Sequence, residues 1–148
     1  MPIRLATPAD IPAIIDLANR SASAAHWSVE QYHQIFSNKI PRRVVLVSDE
    51  QSEVHAFLIG RVLDHECELE NIVVSDSRRR RGTGKMLLQE FLAASGTEGA
   101  AVVFLEVRAS NMAARTLYKS CGFIENGRRP GYYREPAEDA ILYQKSLM

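Results

Sequence analysis

The stretch from Glu68 to Val107 constrains this chain most, because two strand-like segments are joined there by a basic glycine-bearing loop and a helical pattern. Glu68 to Val74 is extended in character. Gly84 to Ala94 places Met86, Leu87, Leu88, Phe91 and Leu92 at helical spacing, and Gly96 to Gly99 ends that run. Ala101 to Val107 is almost continuously apolar, as expected of a strand buried on both faces under covering helices. A strand, a helix and a second strand connected this way form a parallel crossover, which excludes an all-helical bundle and a simple β-sandwich. The predicted class is mixed α/β.

The flanking segments fit that class. Arg4 and Leu5 open a short strand, and Thr7, Pro8 and Asp10 mark a helix start whose apolar face holds Ile11, Ile14, Ile15 and Ala18. A second start lies at Ser28 with Gln31 in capping-box spacing, ahead of a stripe of Tyr32, Ile35 and Phe36. Arg43 to Ser48 and Val54 to Leu63 read as an antiparallel hairpin, with a further turn from Asp64 to Glu66. Asn111 to Ser120 is helical again and stops at Gly122. Phe123 and Ile124 begin a strand, and Ala140 to Leu147 completes a pair across a loop containing Pro130, Gly131 and Pro136. A length of 148 residues predicts a single domain, 1–148. No apolar run reaches a membrane span and no leader pattern opens the chain, so the expected location is the cytoplasm, away from any membrane.

Basic and acidic residues balance at 18 each, which argues against a nucleic-acid-coating protein. Locally the charge is sorted: Glu66, Glu68 and Glu70 precede the apolar run, and Arg78 to Arg81 follow it. Strand alternation predicts Glu66, Glu68, Glu70 and Ile72 on one face. Cys67 and Cys121 lie far apart and read as reduced packing residues. His26, His33, His55 and His65 lack helical zinc spacing, and alternation keeps His65, Glu66, Cys67 and Glu68 from converging, so no metal is expected.

Arg79, Arg80, Arg81, Gly82, Thr83, Gly84 and Lys85 combine cations, two glycines and an immediate helix start. Glycines allow close backbone approach, and the first helical N–H groups lack internal partners, so the segment is an anion cradle. It is neither a Walker loop, since Arg79 stands where that pattern needs glycine, nor a dinucleotide fingerprint, since Leu87 replaces the last glycine. Read by itself it is equally a basic exposed turn.

A family resemblance resolves that ambiguity. Arg79, Gly82 and Gly84 resemble the Gln/Arg-x-x-Gly-x-Gly/Ala motif of the GNAT superfamily of N-acetyltransferases, and ENIVV stands before it. Phe104 to Phe123, FLEVRASNMAARTLYKSCGF, is similar to the second signature of the bacterial ribosomal-protein-alanine N-acetyltransferases in particular. The likeness extends to Ala25-His26-Trp27-Ser28, to Gly131-Tyr132-Tyr133 and to Glu138-Asp139-Ala140-Ile141. Departures are Arg78 where an aromatic is frequent, Glu70 where an apolar residue is frequent, and Tyr143 where methionine is frequent.

The resemblance implies a GNAT fold, with a mixed sheet of about six to seven strands and helices on both faces. It implies acetyl-CoA as cosubstrate, its pyrophosphate on the Arg79–Lys85 loop, its pantetheine arm along Ile72, Val73 and Val74, and Asn111 and Tyr118 as further contacts. Glu106 is the implied base, Tyr118 the implied proton donor to the departing thiolate, and a strand N–H the implied oxyanion donor. Glu70 is a rival base or part of an acidic lip for a basic acceptor, and Tyr132 and Tyr133 border the acceptor groove. Structural roles compete: Glu106 as a cap of the next helix or a partner of Arg108, Tyr118 as a core aromatic, Asn111 as a helix N-cap. The implied acceptor is a protein N-terminal peptide, possessed for example by a ribosomal protein. A small-molecule amine or lysine side chain is the rival acceptor, and a non-catalytic acyl-CoA-binding module the rival class. Nucleic-acid binding by the arginine run is the weakest reading, since no aromatics interleave with it.

Overall fold

A computed structural model describes residues 2–21, 24–25, 27–37 and 41–147. His26, part of the Trp-Ser resemblance, lies outside them. Among the described residues seven strands form one sheet: β1 (Ile3–Leu5), β2 (Arg42–Glu50), β3 (Glu53–Leu63), β4 (Glu66–Val74), β5 (Val102–Arg108), β6 (Ile124–Tyr133) and β7 (Glu138–Ser146). Their order is β1-β2-β3-β4-β5-β7-β6, and only β4 and β5 run parallel. The crossover between those two is α3 (Thr83–Thr97). Helices α1 (Ile11–Asn19) and α2 (Val29–Gln34) precede β2, and α4 (Met112–Ser120) follows β5. No helix among the described residues is long and apolar enough to cross a membrane.

The sheet is covered on both faces, as the sequence predicts. Ile14, Leu17 and Tyr32 of α1 and α2 pack with Val45, Val47, Phe57 and Ile59 on one side. Leu87, Leu88 and Phe91 of α3 and Tyr118 of α4 pack with Leu46, Leu58, Leu105 and Tyr143 on the other. Helix α3 sits close to β3 because Gly60 leaves room for Phe91; a Cβ at Gly60 would come within 2.2 Å of the ring.

The helix starts follow their sequence signals. Ser28 and Gln31 exchange bonds of 3.1 and 2.7 Å in a reciprocal cap. At the first start, the Thr7 amide donates to Asp10 Oδ2 at 2.8 Å, but Pro8 to Asp10 form a short 3-10 turn before α1 begins.

Two expectations are corrected. The stretch expected as a loop through Pro130 and Gly131 is strand β6, held to β7 by a ladder with register shifts at Glu125/Gly127 and Arg129/Tyr133. An edge strand tolerates proline and glycine at such irregularities, which erase the alternation that sequence reading relies on. The expected single face for Glu66, Glu68, Glu70 and Ile72 is also broken. Gly60 pairs with Leu69 while Ile59 pairs with Asn71, so Glu70 is an extra residue, a β-bulge. Cys67 and Leu69 face the α3 side before it, Ile72 and Val74 after it.

Asp10 ties the amino-terminal segment together. Its carboxylate accepts both terminal nitrogens of Arg4 at 2.9 Å as well as the Thr7 amide. The Arg4 bonds hold its pKa below the ordinary aspartate value. A depressed carboxylate pKa stabilises the fold above the unfolded-state value and stops doing so as pH falls through the folded-state value. Asp10→Asn should therefore cost about 1–3 kcal/mol at neutral pH, with the gap from wild type closing in acid; urea melts across pH check this.

Candidate active site

Strands β4 and β5 are paired only from Glu66↔Val102 to Leu69↔Leu105, although β4 runs on to Val74 and β5 to Arg108. Beyond that last pair they part. The first residue of each free prong is a glutamate: Glu70 on β4 and Glu106 on β5. Ile72, Val73 and Val74 keep their partners on β3 but have none on the β5 side. Their open edge can hydrogen-bond an extended ligand as an added strand would.

At the tip of the β4 prong lies the arginine-glycine loop, and its four arginines differ. Arg78 is tied inward, 2.7 Å from Glu50 and 3.3 Å from His55. Arg79 pairs with exposed Asp76 at 3.2 Å. Arg80, Arg81 and Lys85 are exposed and hold no ion pair among the described residues. Arg80 and Gly82 both take left-handed backbone, with φ of 64° and 78°. That turn brings the chain into α3, whose first residue, Thr83, is buried. Gly84 lets the helix start approach α4: a Cβ there would lie 3.3 Å from Leu117 Cδ2. Cations that hold no ion pair among the described residues, next to a helix start where Gly82 supplies no side-chain cap, are suited to binding an anion.

Glu106 alternates with Leu105 and Val107, which face α3 and α4, so its side chain projects on the α1–α2 side of the sheet. It lies 3.4 Å from Arg129 Nε on β6 and is 20% exposed. Tyr132 and Tyr133 reach it from the end of the same strand: the Glu106 charge is the chief cause of the raised Tyr132 pKa, and burial, then Glu106, pushes Tyr133 up to about 12. Arg108 stacks on the Tyr133 ring at 4.4 Å and pairs with Glu138 at 3.3 Å, not with Glu106. The competing structural reading, a pair of Glu106 with Arg108, therefore does not form.

Glu70 is engaged differently. Arg43 Nε donates to it at 2.9 Å, its side chain is 13% exposed, and the same guanidinium lies 5.9 Å from the Trp27 ring centroid. Next to it, Glu68 pairs with Arg61 at 2.7 Å, and its pKa is raised mainly by burial against the opposing pull of Arg61. Asn71, turned into this side by the bulge, donates to Tyr32 Oη at 3.1 Å and accepts from the Ala25 amide at 3.2 Å. The loop before α2 is thereby fastened to β4.

Tyr118 approaches from the opposite face, on α4. It is buried, ringed by Phe123 at 5.9 Å and Tyr143 at 6.1 Å, and burial raises its pKa well above the ordinary phenol value. Its hydroxyl makes no hydrogen bond among the described residues. Asn111 caps α4, its Oδ1 accepting from the Ala114 amide at 3.1 Å, so the N-cap reading holds in the structure.

The sequence profile of the acetyltransferase (GNAT) family matches residues 11–123. The chain belongs to this family. A Salmonella typhimurium [ribosomal protein bS18]-alanine N-acetyltransferase is 37% identical over 142 residues, covering 95% of this chain and 93% of its own. The crystal structure of the ribosomal-protein-S18-alanine N-acetyltransferase from Escherichia coli matches with TM-score 0.86 and 33% identity, over 99% of this chain and 93% of that one. The fold is also that of yncA from Salmonella typhimurium with its cofactor acetyl-CoA, at TM-score 0.85 and 22% identity, over 100% and 94% of the two chains.

This GNAT chain is thus an acetyltransferase with the fold its motifs implied, and acetyl-CoA is the donor its family uses. The structure brings Glu70, Glu106, Tyr132 and Tyr133 to one side of the fork, Tyr118 to the other, and the loop to one tip. Sequence reading missed Arg43, Arg129 and the Asn71–Tyr32 bond, since each depends on pairing across distant strands or on the bulge. Gly82 offers a local check. Nothing lies within 4 Å of a Cβ placed there, so only its φ resists substitution. Gly82→Ala should cost roughly 1–2 kcal/mol, visible as a lowered Tm, with Gly82→Asn milder.

Proposed function

We propose that this acetyltransferase transfers acetyl from acetyl-CoA to the α-amine of a protein N-terminus, the alanine of ribosomal protein bS18 being the acceptor, in the cytoplasm. The acceptor assignment is supported by relatives of that activity aligned over nearly the full length of both chains. The observation that carries the chemistry is the fork: Glu106 is the first β5 residue past its last pair with β4, beside the open edge of Ile72, Val73 and Val74.

The donor fits what the chain offers. Arg79, Arg80, Arg81 and Lys85 supply charge, and the backbone of Gly82, Thr83 and Gly84 supplies close approach, for its pyrophosphate. The free edge of Ile72 to Val74 takes the amide groups of its arm and offers an N–H to the thioester oxygen. Asn111 lies past the end of β5 and serves both as cap and as contact.

Glu106 and Tyr118 then act from opposite faces of the sheet. Glu106 accepts a proton from the attacking amine, whose reference pKa of roughly 7.7 to 8.0 leaves little to be done. As the N–C bond forms, the C–S bond breaks and its electron pair goes to sulfur, which takes the proton of Tyr118. Burial keeps that phenol protonated at neutral pH. Solvent returns the proton to the phenolate after the thiol leaves. Glu70 is the poorer base because Arg43 already holds its carboxylate; with Glu68 it forms an acidic side to the groove that Tyr132 and Tyr133 border.

Glu106→Gln should lower kcat/KM by roughly 100-fold or more, while Glu70→Gln should lower it by less than about tenfold. Tyr118→Phe should lower kcat roughly 10- to 100-fold with acetyl-CoA binding nearly unchanged. Both are measured with an Ala-initiated peptide, against lysine peptides and polyamines as competing acceptors; preference for either competitor would overturn the acceptor assignment.

A further inference from the structure

Arg115 and Tyr118 are three residues apart on α4 and so project from one side of that helix. Both meet Tyr143 of β7, a fully buried residue. Arg115 Nε donates to Tyr143 Oη at 3.0 Å. The same guanidinium donates to the Ala109 carbonyl at 2.8 Å, just past β5, and reaches Glu125 on β6 at 3.4 Å. Tyr143 in turn sets its ring 6.1 Å from that of Tyr118, at 54° between planes. It stands in the strand ladder between Leu105 of β5 and Glu125 of β6.

The consequence concerns how Tyr118 is held. Its hydroxyl has no hydrogen-bond partner among the described residues, so its direction is set by what confines the ring, and Phe123 and Tyr143 are aromatic walls there. A buried aromatic wall without a polar anchor can slide or tilt along its neighbour. Tyr143 is prevented from doing so by its bond to Arg115, and Arg115 is fixed to the backbone that leads from β5 into α4. A misplacement of about 1 Å at a reacting group can cost on the order of 100-fold in rate, so such fixing has catalytic consequence.

We infer that Tyr143, anchored by Arg115, is a positioning residue that aims the Tyr118 phenol at the departing sulfur. This rests on the assignment of Tyr118 as proton donor. Tyr143 is fully buried and acts through Tyr118, and a methionine at this place, lacking ring and hydroxyl, would leave Arg115 without this acceptor.

A double-mutant cycle separates this from a merely structural role. Wild type, Tyr143→Phe, Tyr118→Phe and the double variant are compared for kcat, KM for acetyl-CoA and Tm, with an Ala-initiated peptide. Tyr143→Phe alone should lower kcat roughly three- to tenfold with KM for acetyl-CoA within about twofold, and should raise the solvent deuterium isotope effect on kcat. In the Tyr118→Phe background it should change kcat by less than about twofold. An equal fall in both backgrounds, or no fall with Tyr118 present, overturns the inference. Wild-type turnover in Tyr118→Phe overturns the donor assignment instead, and the single variant identifies that failure. If Tyr143→Phe does not fold, Arg115→Lys removes the Nε donor, keeps the ring and enters the same cycle with the same criteria.

Discussion

Every feature of the site follows from the point at which β4 stops pairing with β5. A parallel pair held to its end would bury both edges and leave no backbone for a ligand. Here the pairing ends at Leu69↔Leu105, and the next residue of β4, Glu70, is the bulge. A bulge adds twist and bends the strand that carries it, so the bend falls where the strands part. It also exchanges the faces of the residues beyond. Asn71 is turned to the α1–α2 side, where its buried amide needs partners and finds Tyr32 and the Ala25 amide. One inserted residue thus opens the fork and fastens the loop that walls one side of it.

The fork also sorts the charges that cancel in the composition. Cations that hold no ion pair among the described residues gather at the tip of the β4 prong, while Glu68, Glu70 and Glu106 project beside it on the α1–α2 face. Each of these carboxylates is countered: Glu70 by Arg43, Glu68 by Arg61, Glu106 by Arg129. The differences among those pairs matter more than their number. Arg43 is 16% exposed and packed beneath Trp27, whereas Arg129 is 54% exposed on an edge strand. A solvated, longer contact is the weaker and is the more readily broken, which suits the role proposed for Glu106.

Much of this was legible before any coordinates. The crossover, the arginine-glycine loop, the cap at Ser28 and the helix after Asn111 are local patterns in which nearest neighbours decide the outcome. The role of Arg78 was not, because its partners Glu50 and His55 come from the β2–β3 hairpin and are known only once the register is fixed. The face of Ile72 was misjudged for a related reason. Alternation is a rule for an uninterrupted strand, and nothing in ELENIVV signals that Glu70 pairs with no residue on β3. Proline and glycine suggested a loop where β6 runs because those residues report a broken hydrogen-bond pattern, which an edge strand permits.

The least legible element is the packing around Tyr118, and under the proposed role of proton donor it answers a chemical constraint. A hydroxyl that must give its proton to a sulfur present only during turnover gains nothing from a permanent acceptor, which would compete for the same proton. Orientation must then come from the ring. Phe123 follows α4 directly and is local, but Tyr143 arrives from the last strand, and its own freedom is removed by a guanidinium from the helix that bears Tyr118. Helix and strand therefore fix each other through one hydrogen bond and one ring contact, and the phenol between them keeps its hydroxyl unengaged. On that proposal, a polar bond one residue removed from the phenol does what a bond to the phenol itself could not do without opposing it.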